Sequence, residues 1–173
     1  MMKLMSILAM LCTAALLSAA DVPWSGDKTA LSLNDKAGTV TIENGVITAS
    51  GKSAGSERYS YLILRVKTAP FALNGKKLAA TVWAADNKPG DSLYIKAKTA
   101  GNKVMLSAYN WGLPTTEAKQ YTIVPEKDDV LKWIAAQIKA PIDSPIIEIE
   151  FHYGRKGNGN DMKLMVKDIK LVD

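Results

Sequence analysis

An apolar–polar alternation of period two recurs from Gly38 to Val172 and constrains this chain more than any other feature. Successive side chains of a β-strand point to opposite faces, so this alternation sets a strand between a core and solvent. Gly38 to Glu43 and Val46 to Ser50 flank Asn44-Gly45, a pair suited to a two-residue hairpin turn because both residues tolerate positive φ. From Arg58 to Lys67, Leu62, Leu64 and Val66 share one parity, and Tyr59, Tyr61, Ile63 and Arg65 the other. Lys77 to Ala85, Ser92 to Lys98, Lys103 to Tyr109, Lys119 to Val124, Ile146 to Tyr153 and Met162 to Val172 bring the set to about nine strands. That spacing predicts an all-β fold, a two-sheet antiparallel sandwich or a barrel. In the last strand Leu164 and Val166 keep one parity while Ile169 and Leu171 take the other, which predicts a bulge at Lys167-Asp168. Asp128 to Lys139 breaks the rhythm: Val130, Leu131, Ile134 and Ile138 fall on one helical face, and Pro141 follows. One short helix is expected there, covering an end of the sheets.

The first twenty residues read differently. Met1 to Lys3 is a positively charged start, Leu4 to Leu17 an apolar run, and Ser18-Ala19-Ala20 a small-residue cleavage site. This layout predicts a secretory signal peptide over 1–20 and a single β-sandwich domain over 21–173. The run is shorter than the ~20 residues a spanning helix needs, and Leu11 before Cys12 argues against lipid attachment. A secreted, periplasmic or cell-surface location follows, with no membrane insertion after cleavage. The chain has 22 Lys and Arg against 17 Asp and Glu, but arginine occurs only at Arg58, Arg65 and Arg155. Nucleic-acid readers concentrate arginine and lysine in stripes, so no nucleic-acid partner is expected. One histidine and one cysteine exclude a zinc cluster, and loss of Cys12 on cleavage excludes a disulfide scaffold.

The closing stretch Met162-Lys-Leu-Met-Val-Lys-Asp-Ile-Lys-Leu-Val-Asp173 resembles the last strand of secreted jelly-roll carbohydrate-binding modules of the galactose-binding-like superfamily. So does Lys76 to Leu78 followed by Pro89-Gly-Asp-Ser-Leu-Tyr-Ile-Lys96. The resemblance implies a jelly-roll sandwich that binds glycan and requires no cofactor for chemistry. It also implies a structural calcium, with Asp168 as the metal ligand of the closing strand. The early glutamate that usually partners it has no good match between Asp21 and Asp35.

A four-residue loop, Thr99 to Asn102, would set Lys98 opposite Lys103, Lys96 opposite Met105, Tyr94 opposite Ser107 and Ser92 opposite Tyr109. Leu93, Ile95, Ala97, Val104, Leu106 and Ala108 would then face the core. Tyr94 and Tyr109 become diagonal neighbours, and Asn110-Trp111-Gly112 continues into a loop. A sugar offers apolar ring faces and a rim of hydroxyls, so its site needs flat aromatic platforms beside polar groups. Tyr94, Tyr109 and Trp111 are the candidate platforms, and Lys96, Ser107 and Asn110 the candidate hydrogen-bonding groups. Packing across the sheet is the other role open to these rings. Trp24 and Trp133 are expected to pack, while Trp83 and Tyr61 could line the same face near Arg65.

Glu148, Glu150 and His152 project from one face of a strand, in a stretch resembling the catalytic strand of laminarinase-type jelly-roll glycosidases. That pattern needs a third acid where His152 stands. No Gly-x-Ser-x-Gly elbow supports a serine nucleophile, and Gly154 to Asp161 reads as a hairpin loop whose Arg155 and Lys156 could touch an anionic glycan. The sequence therefore favours an exported, non-catalytic carbohydrate-binding sandwich. A structural or adhesive domain that binds protein partners, and a small glycosidase using Glu148 and Glu150, are the alternatives.

Overall fold

A computed structural model describes residues 22–111, 116–123 and 136–173, with the backbone alone for 108–111. The expected signal peptide, Trp133 and most of the expected helix lie outside the described residues.

The chain folds as two antiparallel sheets. One contains β1 (Leu31–Leu33), β4 (Ala54–Gly55), β5 (Ser60–Phe71), β7 (Ser92–Thr99), β8 (Val104–Trp111) and β10 (Ile146–Arg155). Its order is β1-β5-β10-β7-β8, with β4 beside β5. The other contains β2 (Thr39–Glu43), β3 (Val46–Lys52), β6 (Lys77–Trp83), β9 (Lys119–Ile123) and β11 (Asp161–Val172), ordered β2-β3-β11-β6-β9. From β5 to β7 and from β8 to β11 the chain changes sheet at every connection, the jelly-roll habit expected of such a sandwich. The short β1 and β4 carry too few residues to show an alternation, and sequence reading misses both.

The core is the sum of the inward parities. Leu62, Leu64 and Val66 of β5 are fully buried, as are Phe151 and Tyr153 of β10, Ile47 and Ala49 of β3, and Leu164 and Val166 of β11. Trp24 packs on this core from the N-terminal side, and the Ala69 amide donates to the Pro23 carbonyl, tying that end to β5.

Bulges decide which residues join the core. Lys167 pairs with Thr81 and Lys170 with Ala79, so β11 carries one extra residue there, and Asp168 sits at φ 50°. Both parities of β11 can then be buried, as the phase slip requires. A second irregularity between Ile146 and Glu148 buries Ile146 instead of Ile147. A third corrects the β7–β8 hairpin. Tyr94 pairs with Tyr109, Lys96 with Ser107 and Ala97 with Leu106, whereas Lys98 pairs with Val104. The register is displaced by two from the simple four-residue loop, and Met105 is the extra residue. Met105 therefore lies fully buried in the core, and Val104 shares the face of Lys98. A shift of two preserves the parity of every residue from Ser92 to Ala97, which is why the face assignment holds although the pairing does not. The end of the expected helix is also corrected: Ile138 bridges Val104, and the Lys139 amide donates to the Val104 carbonyl, so these residues are strand-like.

Asn44 and Gly45 both have positive φ, 51° and 75°, and no atom lies near a would-be Cβ at Gly45. Gly45→Ala is therefore expected to cost only backbone strain, about 1 kcal/mol, read as a lower urea midpoint with an unchanged m-value.

Candidate functional site

The outer face of the six-stranded sheet is not an ordinary solvated surface. β10 lies in its centre and directs Glu148, Glu150 and His152 outward, while β5 and β7 supply the flanking side chains. Register places Arg65 and Lys96 directly across from Glu150. Glu150 is only 5% exposed and His152 8%. Arg65 Nε lies 3.0 Å from Glu150 Oε1 and Lys98 Nζ 3.3 Å from the same oxygen. His152 Nε2 lies 2.8 Å from Oε2. Lys98 also reaches Glu148 Oε1 at 3.4 Å.

Burial works to raise the Glu150 pKa, but the His152 hydrogen bond, the charges of His152 and Lys98 and the Arg65 hydrogen bond outweigh it and hold the carboxyl at about 2. For His152, burial is the largest influence and lowers its pKa, against the pull of Glu150. Both depressed values act in one direction. The stabilisation is complete above the unfolded pKa of each group and is lost as pH falls through the folded one.

An aromatic line crosses the same face. The Tyr61 ring of β5 stands edge-on to His152 at 5.9 Å, and the Tyr94 ring of β7 does so at 5.5 Å on the other side. Tyr59 stacks on Tyr61 with centroids 6.4 Å apart. Lys96 Nζ lies 4.8 Å from the Tyr94 centroid. Gly154 makes room for the line: a Cβ there would meet Ser92 Oγ at 2.5 Å and Tyr61 Cε1 at 2.6 Å.

The six candidate binding residues fall into two groups. Tyr94, Lys96 and Ser107 are brought together on the outer face by the β7–β8 pairing. Tyr94 stays outside the hydrophobic core yet is only 5% exposed, and its hydroxyl donates to Gln137 Oε1 at 2.8 Å. It is a packed base for its neighbours rather than an open platform, and burial, with the nearby Glu150 charge, raises its pKa. Tyr109 pairs with Tyr94, Trp111 with Ser92 and Asn110 with Leu93, so β8 runs to Trp111 instead of ending in a loop at Tyr109. The side chains of these three lie outside the described residues. Trp83 belongs to the opposite sheet and does not join Tyr61 and Arg65.

Sequence reading missed a second polar centre. Arg155, expected in a solvated loop, is buried. Its Nε and Nη2 donate to Asp91 Oδ1 and Oδ2 at 3.0 and 2.8 Å, and Nη2 donates to the Asp86 carbonyl at 2.7 Å. The Tyr153 hydroxyl donates to Asp91 Oδ2 at 2.7 Å. Burial works to raise the Asp91 pKa and Arg155, Tyr153 and the Lys88 amide together lower it, so the pair is ionic. Two of the three arginines thus hold a buried carboxylate, where a planar fork outperforms lysine.

Asp168 has a different setting. Its Oδ2 accepts from Thr81 Oγ1 at 3.4 Å and lies 3.7 Å from Lys167 Nζ. Among the described residues no group of three His, Cys, Asp or Glu is placed to hold a metal ion. One carboxylate, one hydroxyl and an ammonium group do not make the cage of 6–8 oxygens that calcium takes.

Glu148 and Glu150 converge on the Lys98 ammonium. A glycosidase pairs a carboxyl that still holds its proton near neutrality with an ionised one, and Glu150, held at about 2, does not fit the protonated role.

No protein-family model matches the sequence, and no curated protein does. Solved structures do match. A family 11 carbohydrate-binding module from Clostridium thermocellum, in complex with a β-1,3-1,4-mixed-linked tetrasaccharide, superposes with TM-score 0.51 at 14% identity, over 90% of this chain and 97% of that one. The fold is that of the β-sandwich carbohydrate-binding modules. A module from that superfamily with promiscuous specificity gives TM-score 0.52 at 14% identity, over 90% of this chain and 64% of the other. An agarase gives 0.58 at 10% identity, over 88% of this chain. The chain spans only 24% of the agarase's length, so the likeness is to one part of that enzyme.

Glu150→Gln keeps the side-chain shape and removes the charge that Arg65 and Lys98 share. It is expected to cost about 3 kcal/mol at neutral pH, the usual order for breaking a buried ion pair. The difference from the parent should shrink as pH falls from 4.5 towards 2, measured by urea unfolding across that range.

Proposed function

We propose that this chain is an exported, non-catalytic carbohydrate-binding domain whose glycan lies across β10, β7 and β8 on the outer face of the six-stranded sheet. The observation that carries the reading is the ordered face itself. Tyr61, His152 and Tyr94 stand in line over an ion-paired base, with Lys96 held on the Tyr94 ring and Ser107 beside it. The register pairs Tyr109 of β8 with Tyr94. Lys96, Tyr109 and Trp111 are assigned as direct contacts, and the buried Tyr94 and Ser107 as the groups that position them; Asn110, which pairs with core-facing Leu93, takes the inward register position and is not assigned to the glycan. The fold supports this reading, since the modules of like architecture are carbohydrate-binding. The Lys98 clamp on both glutamates supports a binding rather than a hydrolytic role.

Affinity electrophoresis in gels containing mixed-linkage β-glucan, agarose or xylan tests it. Retarded migration is expected, weakened roughly tenfold by Tyr109→Ala or Trp111→Ala, as loss of a stacking ring implies. No new reducing ends should appear in the polysaccharide. Unchanged mobility across neutral and acidic glycans would overturn the proposal.

A further inference from the structure

A groove of about 350 Å³ opens at one end of the sheet, lined by Tyr59, Lys88, Pro89, Gly90, Asp91, Arg155, Lys156 and Asn160. It adjoins the Ser92 end of the β7–β8 pairing, where Ser92 pairs with Trp111. Three pinned loops build its walls. Lys88 to Asp91 is a type II turn: Pro89 fixes its first corner, Gly90 takes φ 88° at the second, and the Asp91 amide donates to the Lys88 carbonyl at 3.0 Å. The Asp91 carboxylate accepts from the Lys88 amide at 2.9 Å, so the Asp91–Arg155 pair also clamps this turn. The Asn160 side-chain amide donates to the Lys156 and Gly157 carbonyls at 3.2 and 2.9 Å, holding the second loop. Ser56 and Tyr59 exchange main-chain and hydroxyl hydrogen bonds, holding the third.

The charge of the lining is the informative part. Asp91 is neutralised by Arg155 in the floor. Lys88 and Lys156 are exposed, and among the described residues neither forms an ion pair. The rim therefore carries two uncompensated ammonium groups beside a tyrosine ring on preorganised loops. Fixed positive charge beside a flat ring suits a sugar that bears an anion, because the ring face and the charge are met together.

We infer that this groove is a second saccharide subsite, selective for an anionic sugar unit. The sugar ring rests on Tyr59, and its carboxylate or sulfate is held by Lys88 and Lys156. This deepens the glycan-binding reading, and the Tyr59–Tyr61 stack joins the groove to the aromatic line of the sheet face.

Calorimetric titration of the full chain with tri-galacturonate, its methyl ester, a sulfated galactan oligosaccharide and a neutral β-glucan oligosaccharide tests it. The acid is expected to bind and the ester to bind roughly tenfold more weakly, with the Lys88→Ala/Lys156→Ala double variant losing about the same factor for the acid alone. Lys88→Arg/Lys156→Arg should restore affinity, and added salt should weaken the acid more than the neutral ligand. Tighter binding of the sulfated probe than of the acid would assign the anion as sulfate within the same proposal. Equal affinity of acid and ester, or a double variant that binds the acid like the parent, overturns the inference while neutral-glucan binding leaves the sheet-face reading intact. Acid binding that depends on Lys88 and Lys156, without neutral-glucan binding, upholds the groove and overturns the sheet face.

Discussion

The Glu150 carboxylate, held between Arg65, Lys98 and His152 in the middle strand of a sheet, is the interaction on which the outer face depends. A buried charge is tolerated only when its partners and hydrogen bonds are complete. Four side chains from β5, β10 and β7 must therefore stand in one arrangement, and His152 carries that order to the rings on either side of it. A solvated sheet surface has no such constraint, and its tyrosines and lysines would sample several rotamers. Here the polar cluster does for the outer face what close packing does for the core.

The same device recurs at the end of the sheet. Arg155 and Asp91 are paired by three hydrogen bonds, and the hydroxyl of Tyr153, whose ring is buried in the core, donates to the same carboxylate. Each centre is built on one arginine and one buried carboxylate, with Lys98 and Glu148 joined to the first and Asp86 to the second. Lys98 apart, the lysines around these two centres, Lys96, Lys88 and Lys156, lie outside their ion pairs. Preorganised ammonium groups and rings lose little freedom on binding, which is how a shallow surface gains useful affinity.

Much of this was legible in the sequence, and the failures have physical causes. Alternation found the long strands because a half-buried strand must write its two faces into the chain, as Leu62, Leu64 and Val66 do against Tyr61 and Arg65. The Asp168 bulge was readable because it reverses a parity within one run. The Met105 bulge was not, since Val104, Met105 and Leu106 are all apolar and any of them can face inward. Alternation places Tyr94 on the correct face, but its hydroxyl is held by Gln137, a residue distant in sequence whose approach no local pattern encodes. Arg155 looked like a loop residue because it follows Gly154, and its partner Asp91 looked like part of a turn. Only the pairing of β10 with β7, which sets Gly154 opposite Ser92, brings the two together.

The ordered outer face of the six-stranded sheet is the proposed binding surface for a neutral glycan. Amide chemical-shift mapping during titration with a neutral oligosaccharide is the most direct measurement. Perturbations are expected on β5, β7, β8 and β10 around Tyr61, Lys96, Ser107 and Tyr109, with β2, β3 and β11 unmoved. Perturbations confined to the opposite sheet, or none at saturating ligand, would contradict it.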